Sequence, residues 1–322
     1  GKGRRVTRPW EDCGGQAGTR GGGGGARSHG LVHREGTAAR ELGKRGGQGQ
    51  AERAGEGGGR VIWAVFGGSG VLLGASFGGG VHPGGDSLAV FRHWWAVSLG
   101  ISSLLLLRGH WRIAALCGFA TVLGAAPMAI GYLDANRDGA GAYALYQKNL
   151  RYDGGDRAGI IDDILTIAPD FVTLEEVSRP NRVIFDTLAK QFTSSLYCDF
   201  TGVGGVAVLS KWPAVAGART CAGQRGAAVM QVRTPAGPVW VVAVHLHWPC
   251  PHGQPRQVAR LVGELAALEG PIVLGGDFNM VPWSATLRKF ERATGSQRAG
   301  RVYRTFVHKG SPLRLPIDHV LV

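Results

Sequence analysis

Pro271-Ile272-Val273-Leu274-Gly275-Gly276-Asp277-Phe278-Asn279-Met280-Val281-Pro282-Trp283-Ser284 is the stretch whose reading decides the fold. Its first four residues form a continuous apolar run with β-branched Ile272 and Val273, the pattern of a fully buried strand. Two glycines then let the backbone pass close to a neighbour at the strand's end. Asp277 and Asn279 follow two apart, so an extended backbone points both to one side. One is an acceptor-only anion and the other both donates and accepts, a pairing that suits a phosphate and a hard metal ion. Alone, Gly-Gly-Asp-x-Asn is also a turn sequence.

Four other polar outcrops end strand-like runs: Gln147-Lys148-Asn149-Leu150, Thr173-Leu174-Glu175-Glu176-Val177, Ala243-Val244-His245-Leu246-His247-Trp248-Pro249 and Ile317-Asp318-His319-Val320. Between the first two, residues 156–167 carry Ile160, Ile161, Ile164, Leu165 and Ile167 at helical spacing, and Pro169 stops the helix. Residues 170–174 return as a strand, and strand-helix-strand order implies a parallel or mixed sheet. Residues 181–190 and 285–293 read as helices, 202–211 as a core strand, and 227–232 with 239–244 as a hairpin through Pro235-Ala236-Gly237-Pro238. Alternation puts His245 and His247 on one face with Leu246 opposite. They could also be a zinc pair, but no third nitrogen or sulfur ligand lies nearby in sequence. Residues 254–268 read as a helix with Val258, Leu261, Val262, Leu265 and Leu268 on one stripe. Arg256 and Arg260 lie off that stripe, facing either substrate phosphate or solvent. Residues 303–307 and 317–322 close the domain.

Taken in order, the five motifs resemble those of the endonuclease/exonuclease/phosphatase superfamily, over about residues 143–322. The resemblance implies a four-layer α/β/β/α sandwich, two packed mixed sheets flanked by helices. It implies a Mg²⁺- or Mn²⁺-dependent phosphodiesterase or phosphatase with Glu176 and Asn149 on the metal. His245 would contact the scissile phosphate, Asp277 and Asn279 would position water and phosphate, and Asp318 would orient a histidine from a later Ser-Asp-His tripeptide. His247 and Arg256 are added as substrate contacts. The chain ends at Val322 before any such tripeptide, which reads as a C-terminal truncation, and alternation points His319 away from Asp318's face. Nucleic acid is the expected substrate. The alternatives are a phospholipid or phosphoinositide, or a non-catalytic binding module; no protein partner is expected.

The formal net charge is +13, spread as +6 over residues 1–60 (12 basic, 6 acidic), +2 over 61–133 (3 and 1) and +5 over 134–322 (21 and 16). The modest basicity of the last part is compatible with a polyanionic substrate without demanding one. Residues 1–60 hold 20 of the 54 glycines and one aromatic, Trp10, too little apolar surface to offset ordering, and read as disordered. Residues 61–81 and 113–133 carry no charge, and 88–107 carry only Arg92, so each is long and apolar enough to cross a bilayer as a helix. Arg108 and Arg112 share a side with the basic tail, so the positive-inside rule makes this a multi-pass cell-membrane protein with its last domain outside the cytoplasm. Residues 134–142 are a linker. The five cysteines show no C-x-x-C spacing, which argues against a zinc site; unpaired cysteines are expected, with Cys221–Cys250 conceivable in an oxidising compartment.

Overall fold

The computed structural model describes residues 59–133, 141–222, 226–307, 310 and 313–322. The tail expected to be disordered lies outside these residues except for 59 and 60, as does most of the expected linker.

Helix α1 spans Gly59–Ala75 and is apolar but only 17 residues long. A 3-10 turn at Gly78–Gly80 and a short helix α2, Pro83–Val90, lead into α3, Arg92–Leu133. Among the described residues α3 alone is long and apolar enough to cross a membrane. The first expected span therefore stops six residues early, and the second and third correspond to the two helical limbs of α3, which meet in a kink at non-helical His110 (φ −136°, ψ 45°). The kink is a reversal. A Cβ at Gly100 would lie 3.4 Å from Thr121 Cγ2, whereas a straight helix would separate these residues by about 30 Å. Leu99 and Leu106 before the kink, Ala114 after it, and Phe66 and Leu73 of α1 form one buried cluster.

The rest is a two-sheet sandwich. Sheet one contains β1 (Leu145–Asn149), β2 (Phe171–Val177), β4 (Gly204–Ser210) and β3 (Ser194–Thr201) in that order. Sheet two contains β11 (Asp318–Leu321), β8 (Ile272–Asp277), β7 (Gly237–His245), β6 (Ala227–Thr234) and β5 (Ala214–Cys221). The parallel pairs β1–β2 and β7–β8 are joined through α4 (Arg157–Ile167) and α6 (Gln254–Leu265).

Strand alternation builds the layers. Phe171, Val206, Val208, Met230, Val241 and Ala243 meet between the sheets. Val172, Leu174, Ala207 and Leu209 face outward under α4 and α5 (Arg182–Leu188). Val242, Val244 and Leu274 face outward under α6 and α7 (Ala285–Thr294). Fully buried Ile164 of α4 contributes about 2 kcal/mol in this setting. This is the expected α/β sandwich of two mixed sheets flanked by helices.

Several details differ from expectation. Only Phe306–Val307 of the 303–307 stretch is a strand, β9, and it pairs with β10, Arg314–Leu315, instead of closing a main sheet. Cys221 is bonded to Cys198, not Cys250, so the disulfide ties edge strand β5 of one sheet to edge strand β3 of the other. The helical segment is not separate from the sandwich: Ala89, Val90 and Met128 join the apolar cluster under α7.

Candidate metal and phosphate site

The register of sheet two sets His245, Asp277 and Asp318 side by side, His245 opposite Asp277 on β7–β8 and Asp318 opposite Asp277 on β11–β8. In sheet one, Asn149 at the end of β1 stands opposite Glu175 on β2. The glycines bring the two rows together. A Cβ at Gly275 would lie 2.4 Å from Thr173 Oγ1 of the facing sheet, and one at Gly276 would lie 2.0 Å from Val244 O of the neighbouring strand.

Glu175 and Glu176 are separated by a break in register between Leu174 and Val177, where Glu176 takes a left-handed backbone (φ 53°). Such a bulge re-aims a side chain at a strand end, at a cost that the surrounding contacts must cover. Here Ser178 N–H and Asn181 Nδ2 both donate to Glu176 O. Glu175 is fully buried; Glu176 reaches the cleft, its Oε2 accepting from Tyr152 N–H at 2.6 Å.

Two amides bridge the sheets. Asn149 Nδ2 donates to Glu176 Oε1 (3.0 Å) and Asp277 Oδ2 (2.8 Å). Gln147 Nε2 donates to Glu175 Oε2 (2.7 Å) and Asp318 Oδ1 (3.2 Å). His245 Nε2 lies 4.0 Å from Glu176 Oε1. Ligand atoms of Glu176, His245 and Asp277 all fall within 4.8 Å of one another. The extended geometry expected through Asp277 and Asn279 does not persist: β8 ends at Asp277 and Asn279 turns left-handed (φ 46°). Its N–H donates to Asp277 Oδ1 and its Nδ2 to Leu246 O, both at 2.7 Å.

Asn149, Glu176, His245, His247, Asp277, Asn279 and Asp318 all line one cleft of about 850 Å³. Arg256 does not: it lies on the exposed face of α6, because its helix turns that side to solvent. His319 faces away from the cleft, with its Nε2 2.8 Å from Met280 O. The roles of Gln147 and Glu175 were not foreseen. Gln147 could have been, since it lies two residues before Asn149 and so on the same face of β1. Phe200 of β3 was also missed; its ring meets those of His245 (5.4 Å) and His247 (5.0 Å).

Electrostatically the site is a crowd of acids. Burial, then Asp318, lifts Glu175 and Asp277 well above the usual carboxylate range, and burial lifts Asp318. Burial, then His247, pushes His245 down to about 4, so its imidazole is neutral at pH 7.

The model of the endonuclease/exonuclease/phosphatase family matches residues 146–322, more than half of the chain. The chain belongs to the endonuclease/exonuclease/phosphatase family. Comparison with curated protein sequences gives no match. Similar solved structures include sphingomyelinase C from Streptomyces griseocarneus, at 17% identity and TM-score 0.39, covering 55% of this chain and 81% of that one. They also include the human nocturnin catalytic domain with bound sulfate, at 16%, 0.43, 56% and 82%. A third is an endonuclease/exonuclease/phosphatase family protein from Leptotrichia buccalis, at 14%, 0.42, 56% and 87%.

Endonuclease/exonuclease/phosphatase proteins are phosphoric ester hydrolases, usually metal-dependent, and the residues here fit a divalent cation. The carboxyl groups of Glu176, Asp277 and Asp318 converge on one cleft with Glu175 buried behind them, and Glu175 Oε1 and His245 Nδ1 have no hydrogen-bond partner among the described residues. Oxygen donors of this kind suit Mg²⁺ or Mn²⁺.

Proposed function

We propose that this protein is a membrane-anchored, metal-dependent phosphodiesterase whose substrate is nucleic acid. The observation that carries the reading is the Asn149 amide clasped between Glu176 and Asp277, with His245 4.0 Å from Glu176. It joins the ends of both sheets at one small polar centre. Glu176 and Asp277 would hold Mg²⁺ or Mn²⁺, which neutralises charge on phosphoryl oxygens when bound, and Asn149, expected on the metal, instead orients them: its Nδ2 faces both acids and its Oδ1 accepts from Arg151 N–H. Asp277 orients and deprotonates the attacking water. Neutral His245 offers the phosphate one N–H hydrogen bond instead of a full charge. Asn279 spends one amide hydrogen on Leu246 O and keeps the other, with its carbonyl, for the phosphate and water. Asp318 shares Gln147 with Glu175 and so holds the acids in register.

Lys148 and Arg151 beside Tyr152, Phe200 and Trp248 on the cleft walls support nucleic acid, because cations track a phosphate backbone and aromatic rings stack on bases. A lipid phosphodiester is the second reading. Trp248 and Val307 are both nearly half exposed at the cleft, and Trp248 packs edge-on to Phe306. Chelator-sensitive cleavage of plasmid DNA, compared with sphingomyelin vesicles and bis(p-nitrophenyl) phosphate, separates the two. Asp277→Asn should abolish whichever activity is found, and parental turnover in that variant ends the assignment.

Anchoring through three passes is supported by the outward apolar faces of α1 and both limbs of α3, where Val71, Leu104 and Leu116 are 71%, 69% and 68% exposed. Soluble surfaces rarely carry contiguous apolar faces of this size. Trp63 packs on His110, so Arg60, Arg108 and Arg112 share one end of the helices, as a cytoplasmic end requires. The Cys198–Cys221 disulfide favours an extracytoplasmic domain. Labelling of a single surface cysteine by an impermeant maleimide in intact cells tests that orientation; protection there, with labelling after lysis, would reverse it.

A further inference from the structure

Eight residues after Asp277, α7 begins; Ser284 Oγ caps its Leu287 N–H at 3.1 Å, and the two preceding N–H groups are met from a distant part of the chain. Asp86 of α2, only 4% exposed, accepts from Ala285 N–H (2.7 Å), Thr286 N–H (2.8 Å) and Thr286 Oγ1 (2.8 Å). Its own neighbourhood is shaped around it: a Cβ at Gly79 would sit 2.0 Å from Asp86 Oδ1. A carboxylate here meets the first free N–H groups and the positive end of the helix dipole together.

The same region is fixed by three further ties from the helical segment. Trp283 Nε1 donates to Ala89 O at 2.7 Å. The Arg92 guanidinium donates to Trp283 O (3.5 Å), to Ser76 Oγ (2.9 Å) and to Ser76 O. Ser87 Oγ donates to Cys250 O at 2.7 Å, two residues beyond Trp248 on the cleft wall. Residues 278–284, between β8 and α7, have no regular structure and include Asn279 in its left-handed conformation. That loop is stretched between two fixed points, the end of β8 and the start of α7. The second is held by residues lying outside the matched family region, which begins at residue 146.

We propose that Asp86 is a positioning residue for the loop that follows Asp277 and carries Asn279, so that the apolar helical segment forms part of the hydrolase site as well as its anchor. The inference rests on reading that loop as catalytic. It is tested on the full chain in detergent with Asp86→Asn, Thr286→Val, Asp277→Asn and a core control remote from the site, Ile164→Val. Mn²⁺ binding followed by electron paramagnetic resonance counts folded sites, because Glu176 lies on another strand and Asp277, the last residue of β8, is held there by the Asn149 amide, so both stay in place when residues 278–284 loosen. Turnover of bis(p-nitrophenyl) phosphate is then expressed per bound Mn²⁺, and amide exchange follows residues 278–287. Asp86→Asn should bind Mn²⁺ within about twofold of the parent, turn over at least about tenfold more slowly per site, and exchange faster in 278–287 but not in β8. Thr286→Val, which loses one of the three hydrogen bonds, should show a two- to fivefold loss of the same kind, and Ile164→Val none.

Parental per-site turnover and exchange in folded Asp86→Asn overturns the proposal. If Asp86→Asn does not fold, parental values in Thr286→Val do so. Should Asp277→Asn turn over like the parent, it is the reading of the catalytic loop that fails.

Discussion

His319 links pH to the underside of the loop that follows Asp277. Its ring is 6% exposed, packs on Phe278 at 5.6 Å and places Nε2 2.8 Å from Met280 O. Burial, against the hydrogen bond to Met280 O, pushes its pKa from 6.5 down to about 4. Below pH ~6.5 the unfolded chain therefore binds a proton that the folded chain refuses until about pH 4. The stability contributed by neutral His319 is complete above the unfolded value and is lost as pH falls towards the folded one. At about 1.4 kcal/mol per pH unit, the loss reaches about 2 kcal/mol at pH 5.

His319→Gln keeps a donor towards Met280 O and removes the titration. Any packing cost of the substitution is the same at every pH, so the gap between parent and variant should shrink by about 2 kcal/mol between pH 7.5 and 5.0. Urea denaturation of the full chain in detergent at fixed ionic strength measures it. Only the difference is informative, because His245 titrates in the same direction while Asp277 and Glu175, whose pKa values are raised, titrate in the opposite one. A gap constant to within about 0.5 kcal/mol, the size of a neutral surface change, would refute the reasoning.

Replacing Cys198 and Cys221 together by Ser opens a crosslink spanning 23 positions and should cost about 3 kcal/mol in denaturant titrations; a loss below about 1 kcal/mol would mean that the sheets' own packing already fixes the two edges. Mg²⁺ or Mn²⁺ at a hundred times its dissociation constant should stabilise the folded chain by about 2.7 kcal/mol, with a matching rise in melting temperature that EDTA removes. Glu176→Gln should lose most of that rise, and an undiminished rise takes Glu176 out of the ligand set. Asn279→Ala and Asn279→Gly both lose the hydrogen bond to Leu246 O, but alanine adds about 1 kcal/mol of left-handed strain that glycine avoids. Equal stability of the two would show that the loop relaxes away from φ 46° once the carboxamide is gone.

How much was legible follows from what sets each element. Central strands announce themselves because both faces are buried: β8 and β7 read as unbroken apolar runs, and their polar ends fell where expected. The edge strands β5 and β3 do not. Ala214–Cys221 is largely exposed and Ser194–Thr201 mixes Ser, Tyr, Cys and Asp, so neither shows a period, and with them went Phe200 and the disulfide that joins the two edges. Asn149, Glu176, His245 and Asp277 were singled out by motif order, and the structure brings them to one cleft. What that order could not supply was backbone geometry, namely the bulge that sends Glu175 inward and Glu176 to the cleft, and the left-handed turn at Asn279.

Asp86 marks a different limit. In sequence it is the one acid between two apolar stretches, in a segment that reads as a hairpin turn at a membrane surface. Its partners lie 199 and 200 residues away, beyond the reach of any local pattern. A lone carboxylate in such a turn would normally stay hydrated, since burying a charge without partners costs several kcal/mol. Its burial is offset by the three donors at the start of α7 and by the charge of nearby buried Arg92, and those three donors are unmet by the hydrolase domain's own chain. The two parts thus complete one another's hydrogen bonding at the point where the loop after Asp277 ends, so separating them leaves the Ala285 and Thr286 N–H groups unmet on one side and an unpaired acid on the other.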